Sequence, residues 1–328
     1  RAPFSAWTLG SDMNLSKPVN LPDFANLDLN FDIVDSHHHL FDLQAVYYPW
    51  LTDRPEKHFL LGHYDGLKQD YSVTEYRADT GDLSVVQTVH VEAEADHDNP
   101  VAETRWLSGL MEHGNLPRAI VAHAWLHRPD CEVVLAEQAS FSEVRGIRSK
   151  PRVSTTAAAR DRVRGKPISM QDAAWRNGLG LLRKYGLSWD LRVPFWHLAE
   201  AADVCALYPD LPIVVEHTGL PWDRSADGLE EWRLGMTALA EMEHVHLKVS
   251  ELGLAGAPWD YDDNRHVVRE AIEIFGFGRC MFASNFPVAG LRIGYVDQLS
   301  AIADMIQDCS LPERNALFHD TAVRFYRL

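Results

Sequence analysis

Three consecutive histidines stand in the stretch Asp35-Ser36-His37-His38-His39-Leu40-Phe41-Asp42, directly after Phe31-Asp32-Ile33-Val34. A short run with β-branched residues reads as a buried strand, along which side chains alternate between faces. His37 and His39 then point one way and His38 the other, so two imidazoles converge on one spot. Neutral imidazole is a common ligand for zinc and related ions, and a strand end holds two of them more rigidly than a loop. A histidine-rich turn satisfied by water is the plainer alternative.

Comparable groups close other apolar runs. In His90-Val91-Glu92 the same alternation places a histidine and a carboxylate on one face. His217 precedes a Gly-Leu-Pro turn and reads as a ligand, whereas His90 and His123 fit a substrate-binding or a structural role equally. Arg148 and Arg192 suit a bidentate grip on a substrate carboxylate if they face inward, and are structural salt bridges otherwise. Tyr48-Pro49-Trp50 offers either an aromatic plug over the core or a wall for substrate.

The elements that must position these groups alternate regularly. Eight runs read as strands: 31–35, 85–91, 119–124, 144–148, 187–193, 212–216, 245–250 and 279–284. Helical patterns separate them from 101 onward, and two more follow the last run. Strands joined by helices call for a parallel sheet, and eight such units match an α/β fold of the (β/α)8 TIM-barrel type, with catalytic groups at the carboxyl ends of the strands. An open doubly wound sheet is the other arrangement, but no G-x-G-x-x-G or G-x-x-x-x-G-K-[ST] follows an early strand. One domain over 31–328 with an N-terminal arm over 1–30 is expected. The polar stretch from Leu51 to about Gly81 reads as a long excursion, a lid or a loop with a short helix of its own.

The formal net charge of −16 over 328 residues disfavours nucleic acid and anionic membrane surfaces as partners. No apolar run reaches the roughly 18–20 residues of a membrane span, and the first 31 residues lack the apolar core of a signal peptide. Cys131, Cys205, Cys280 and Cys309 form no C-x-x-C pair. Four reduced, mostly buried thiols in a cytoplasmic protein are expected.

Taken together, the His37–His39 motif, Tyr48-Pro49-Trp50-Leu51, Glu216-His217-Thr218-Gly219-Leu220-Pro221, Lys248-Val249-Ser250 and Met281-Phe282-Ala283-Ser284-Asn285-Phe286-Pro287-Val288 resemble the amidohydrolase superfamily. The branch they resemble is the amidohydrolase 2 group, which includes sugar lactonases and pyrone-dicarboxylate lactonase. The resemblance runs in consistent order from about Phe31 to the C-terminus. It implies that His37, His39 and His217 bind metal or polarise substrate. Asn285 departs from the family, which usually carries an Asp there that binds metal and deprotonates water. An amide has no carboxylate to take that proton. The strand-five histidine of two-metal branches is also missing from Ser188 to Arg192. Either one divalent ion, zinc foremost, on His37, His39 and His217, or no catalytic metal, is implied.

The resemblance points to hydrolysis of a lactone or similar cyclic ester of a carboxylate-bearing small molecule. His37, His39, His217, Asn285 and Glu92 would be catalytic, and His90, His123, Arg148, Arg192, Tyr48 and Trp50 would bind substrate. With Asn285 in the usual Asp position, either Glu92, Asp190 or Glu251 supplies a base or a metal-bound hydroxide forms without one. Decarboxylation, lactone isomerisation and ligand binding without turnover are the alternatives, and a homo-oligomer is allowed.

Overall fold

The strands β1 (Ile33–His38), β2 (Val85–Val91), β3 (Ala119–Ala122), β4 (Val144–Ile147), β5 (Ser188–Leu191), β6 (Ile213–Val215), β7 (Val245–Val249) and β8 (Cys280–Phe282) form one parallel sheet in chain order. They belong to a computed structural model that describes residues 20–112 and 116–328. Helices such as Ala102–Met111, Cys131–Ala139, Ala173–Leu181, Leu198–Cys205, Ala226–Ala240 and Tyr261–Phe275 alternate with the strands. This is the (β/α)8 barrel expected from the sequence. Residues 1–19 of the expected arm lie outside the described residues, and 20–30 carry a bridge from Asn20 to Asp260 and a turn closed by Leu27 N to Phe24 O at 3.0 Å.

The seam between the first and last strands is closed at the mouth. His39 N donates to Phe286 O at 2.7 Å and Asn285 N to His37 O at 2.7 Å. Asp35, fully buried, staples the same seam: it accepts from Ser284 N at 2.9 Å, Ser284 Oγ at 2.6 Å and Tyr76 Oη at 2.8 Å. Asn285 is thereby pinned beside the histidines by backbone bonds that the strand order dictates.

Inside the barrel, Val34, Val89, Val91, Val121, Val214 and Met281 pack with Phe325 and Tyr326 of the C-terminal helix Thr321–Tyr326. The larger core, with Trp175, Trp189 and Trp232, joins sheet to helices. Between this apolar plug and the mouth stands a buried charged layer. Lys248 Nζ lies 2.6 Å from Asp190 Oδ2, which also accepts from Tyr326 Oη at 2.8 Å.

The first barrel helix, Val73–Thr80, falls within the stretch read from sequence as an excursion. Its alternation is masked by polar residues, but Ser72 and Glu75 form a capping box, a signal present in the sequence. The four cysteines are free, three of them buried. No helix among the described residues is long and apolar enough to cross a membrane.

Candidate active site

Strand alternation delivers two imidazoles to the mouth. His37 Nε2 and His39 Nε2 stand 3.3 Å apart, while His38 turns away to Thr88 Oγ1 at 2.8 Å. His217 joins them from the end of β6, its ring centroid 4.7 Å from that of His37. His217, Glu251 and Asn285 follow β6, β7 and β8 with φ of 58°, 42° and 56°. These are left-handed values that cost a non-glycine residue of order 1–3 kcal/mol. Asn tolerates such a turn better than His or Glu. Local strain thus coincides with the site, where the chain leaves three strands and re-aims three side chains.

The protons can be placed. His39 Nδ1 donates to Val91 O at 2.7 Å, because a carbonyl can only accept, so Nε2 carries a lone pair. Asn285 Oδ1 faces that nitrogen at 3.2 Å, its Nδ2 being committed to Glu251. His37 Nδ1 stands between an acceptor, Glu216 Oε1 at 3.3 Å, and a donor, Lys248 Nζ at 3.4 Å, so both of its tautomers are served. Two acceptor atoms, His39 Nε2 and Asn285 Oδ1, therefore confront one another with no hydrogen between them, and His37 Nε2 stands 3.3 Å from the first. Two nitrogens on a tetrahedral zinc at about 2.0–2.1 Å each stand about 3.3–3.4 Å apart, so the spacing fits a bound cation.

A grouping whose ligand atoms lie within 4.8 Å of one another combines His37 and His217 with Glu216 and does not include His39. There Glu216 already meets Arg148 Nη1 at 3.2 Å and Lys248 Nζ at 4.0 Å, which opposes a further cation on its side. The same argument applies to Glu92, His97 and His123. His97 and His123 stack at 4.1 Å, but Glu92 is bonded to Arg148 Nε at 2.6 Å.

A cavity of about 560 Å³ opens on this cluster, lined among others by His39, His217, Asn285, Trp50, Arg148, Lys150 and Arg192. Arg192 makes no hydrogen bond or ion pair among the described residues, and its guanidinium is available to a ligand. Arg148 is not: it spans Glu92 and Glu216, and so fills the salt-bridge role open to it from sequence. Trp50 contributes a wall, with Nε1 on Ala93 O at 2.8 Å and its ring stacked 5.6 Å from Phe59.

Several expectations are corrected by these contacts. His90 and Glu92 do not share a face. His90 Nε2 lies 3.4 Å from Glu103 Oε1 and its Nδ1 accepts from Leu40 N at 3.2 Å, away from the cavity. The alternation that pairs them ends with β2 at Val91, so Glu92 turns inward to Arg148. Tyr48, fully buried, bonds Glu103 at 3.0 Å and does not reach the cavity. His123 is buried with Nδ1 on Arg148 O at 3.3 Å, behind His97. Glu92 is a poor base: burial works against its charge, but Arg148 and then Lys150 hold its carboxyl below the usual range. Asp190 is spent on Lys248 and Tyr326 below the mouth. Glu251 differs, since burial pushes its carboxyl up to about 7 against the bonds from Asn285 and the Gly253 backbone. It is separated from the cavity by Asn285.

Burial, with neighbouring cations, lowers His37, His39 and His217 well below the ordinary histidine value of 6.5, and burial with His90 does so for His38. The folded state then binds fewer protons than the unfolded chain below that value, so stability is intact above about pH 6.5 and falls as the pH drops. Each such ring costs about 1.4 kcal/mol per pH unit. Urea unfolding midpoints are expected to fall between pH 7.5 and 5.5, and a flat profile would contradict neutral rings.

Comparison with known proteins agrees with this architecture. A protein from Sinorhizobium fredii named y4mH, described as uncharacterized, is 36% identical over 90% of this chain and 98% of its own length. An L-fucono-1,5-lactonase from Burkholderia multivorans is 27% identical over 90% of this chain and 96% of its own. The crystal structure of an amidohydrolase from Burkholderia multivorans with bound zinc superposes with a TM-score of 0.70 at 25% identity, covering 91% of this chain and 100% of that one. The family model Amidohydro_2, described as amidohydrolase, matches residues 34–328, so the chain that carries these histidines at its barrel mouth belongs to that amidohydrolase family.

Proposed function

We propose that the protein hydrolyses a lactone or similar cyclic ester of a small carboxylate-bearing molecule. The observation that carries this reading is Arg192, a cavity-lining guanidinium without a protein partner among the described residues, in the same cavity as His39, His217 and Asn285. The named activity of the Burkholderia relative supports ring opening. In the reaction water adds to the ring carbonyl and gives up a proton to solvent, the acyl C–O bond breaks, and the departing alkoxide takes up a proton, so that one water is consumed.

His37, His39 and His217 are the residues that would hold a divalent ion, with Asn285 Oδ1 beside His39. Zinc suits imidazole donors and, when bound, supplies a Lewis acid for a carbonyl oxygen and acidifies water. The chain's own groups do the rest. Arg192 grips the substrate carboxylate in a geometry that Lys cannot copy. Trp50 and Phe59 cover the ring and exclude water from one side. Lys150, paired with Glu94 and lowered to about 8 by burial and by Arg192, places a proton donor in the cavity for the departing oxygen.

The test is a pH-indicator assay with an anionic lactone of a sugar diacid beside neutral L-fucono-1,5-lactone. Acid release with the anionic lactone preferred is the expected result. Arg192→Ala is expected to raise KM for the anionic lactone about 10–100-fold, the worth of one or two charge-assisted hydrogen bonds. The neutral lactone should change less than about threefold by the same argument, as it offers no anion. Carbon dioxide release without water-derived oxygen in the product would replace this reading by decarboxylation. Tight binding without turnover would remove catalysis altogether.

A further inference from the structure

Asn285 sits where the family's aspartate is expected, and its amide is not free to choose an orientation. Nδ2 donates to Glu251, and Oδ1 is thereby aimed at His39 Nε2, 3.2 Å away. Left to itself the amide would prefer the reverse. His39 Nε2 bears a lone pair, since Nδ1 donates to Val91 O, and an N–H would bond it where an oxygen repels it. Something must hold the unfavourable orientation, and Glu251 is the group in contact.

The backbone is built to bring that carboxylate there. Glu251 is 3% exposed and sits at φ 42° directly after β7. Gly253 leaves it room, because a Cβ at that position would stand only 3.0 Å from Glu251 Oε1. A strained backbone, a bare glycine and a buried carboxyl group all serve one bond to Asn285.

We infer that Glu251 is a positioning residue that locks the Asn285 amide oxygen toward His39, so that an amide paired with a neighbouring carboxylate occupies the place of the family's aspartate. The inference rests on the cation-site reading given above. It has a second consequence: the carboxylate and amide are a matched pair. A carboxylate introduced at 285 alone meets Glu251 at hydrogen-bond contact, where like charges repel. In N285D/E251Q the roles are exchanged, with the Gln amide donating to the new carboxylate and the carboxylate facing the histidines.

The probe is zinc alone, titrated calorimetrically into metal-stripped full-length protein, with circular dichroism to establish folding. N285D is expected to bind zinc within about threefold of the parent, whereas N285D/E251Q binds at least about tenfold more tightly, as a properly presented carboxylate should. E251A is expected to weaken zinc binding about tenfold or more, and E251Q, which keeps an acceptor for Asn285 Nδ2, to restore most of it. In lactone hydrolysis E251A should lower kcat while KM stays within about twofold, since Glu251 does not line the cavity. N285D binding as tightly as the double variant, or E251A binding like the parent, would overturn the inference. So would a folded parent that takes up no zinc, an outcome that leaves the lactone reading to its own assay.

Discussion

Replacing His39 by Ala is expected to lower kcat/KM for the anionic lactone by about 10²–10³-fold, the usual scale for removing one group that stabilises developing charge. The expectation follows from the uses of this ring. Nδ1 is tied to Val91 O at 2.7 Å, which fixes both tautomer and plane. Nε2 faces His37 Nε2 at 3.3 Å and Asn285 Oδ1 at 3.2 Å, so it is shared by every contact of the acceptor cluster. Loss of the ring leaves Val91 O without its donor, at a stability cost of about 1–3 kcal/mol. Steady-state kinetics, zinc content by emission spectrometry and urea unfolding separate these effects. His38→Asn is the internal comparison. That ring bonds Thr88 at 2.8 Å and packs 4.6 Å from the Tyr76 ring, on the opposite side of the strand. Its loss should cost stability without changing zinc content. Equal effects of the two substitutions on zinc content would refute the division of labour that strand alternation imposes.

That division was legible in the sequence because it depends only on local geometry. Three adjacent histidines on a strand must separate by face, and His37 and His39 meet as alternation requires. The eight strands were legible for the same reason, each being a short, largely apolar run bounded by polar turns and most of them rich in β-branched residues. Pairings between distant segments were hidden. Nothing near His90 or Tyr48 announces Glu103, which holds both. The two arginines, read alike from sequence, part ways because Arg148 finds Glu92 and Glu216 while Arg192 finds no protein partner among the described residues. Asn285 drew notice as a departure from the family. Its compensation by Glu251 depends on two left-handed residues at adjacent strand ends, which no local pattern encodes.

Arg148→Met should destabilise the folded protein by about 3–5 kcal/mol at pH 7, the cost of leaving buried charge without its partner. Arg148 Nε meets Glu92 Oε1 at 2.6 Å and Nη1 meets Glu216 Oε2 at 3.2 Å, with all three side chains at most 4% exposed. A Lys cannot span both acids, so Arg148→Lys should recover less than half of the loss. The pH dependence tells this cause from lost packing. With Arg148 present, Glu92 is held below the usual carboxylate range, with burial opposing and Arg148 prevailing. Such a group contributes stability above the unfolded carboxylate value near 4.3, and the contribution is lost as the pH falls through the lower folded value. Without Arg148 the sign reverses. Buried unpaired carboxylates have raised values, bind protons more readily than the unfolded chain, and become less costly as the pH falls. The stability gap between parent and Arg148→Met should therefore narrow from pH 7 to pH 5, even though the neutral histidines lower the stability of both proteins over that range. Urea unfolding at the two pH values measures the gap directly. A gap of the same size at both would mean that Arg148 contributes by filling space, and that the Glu92–Arg148–Glu216 bridge does not set the charge beneath His37.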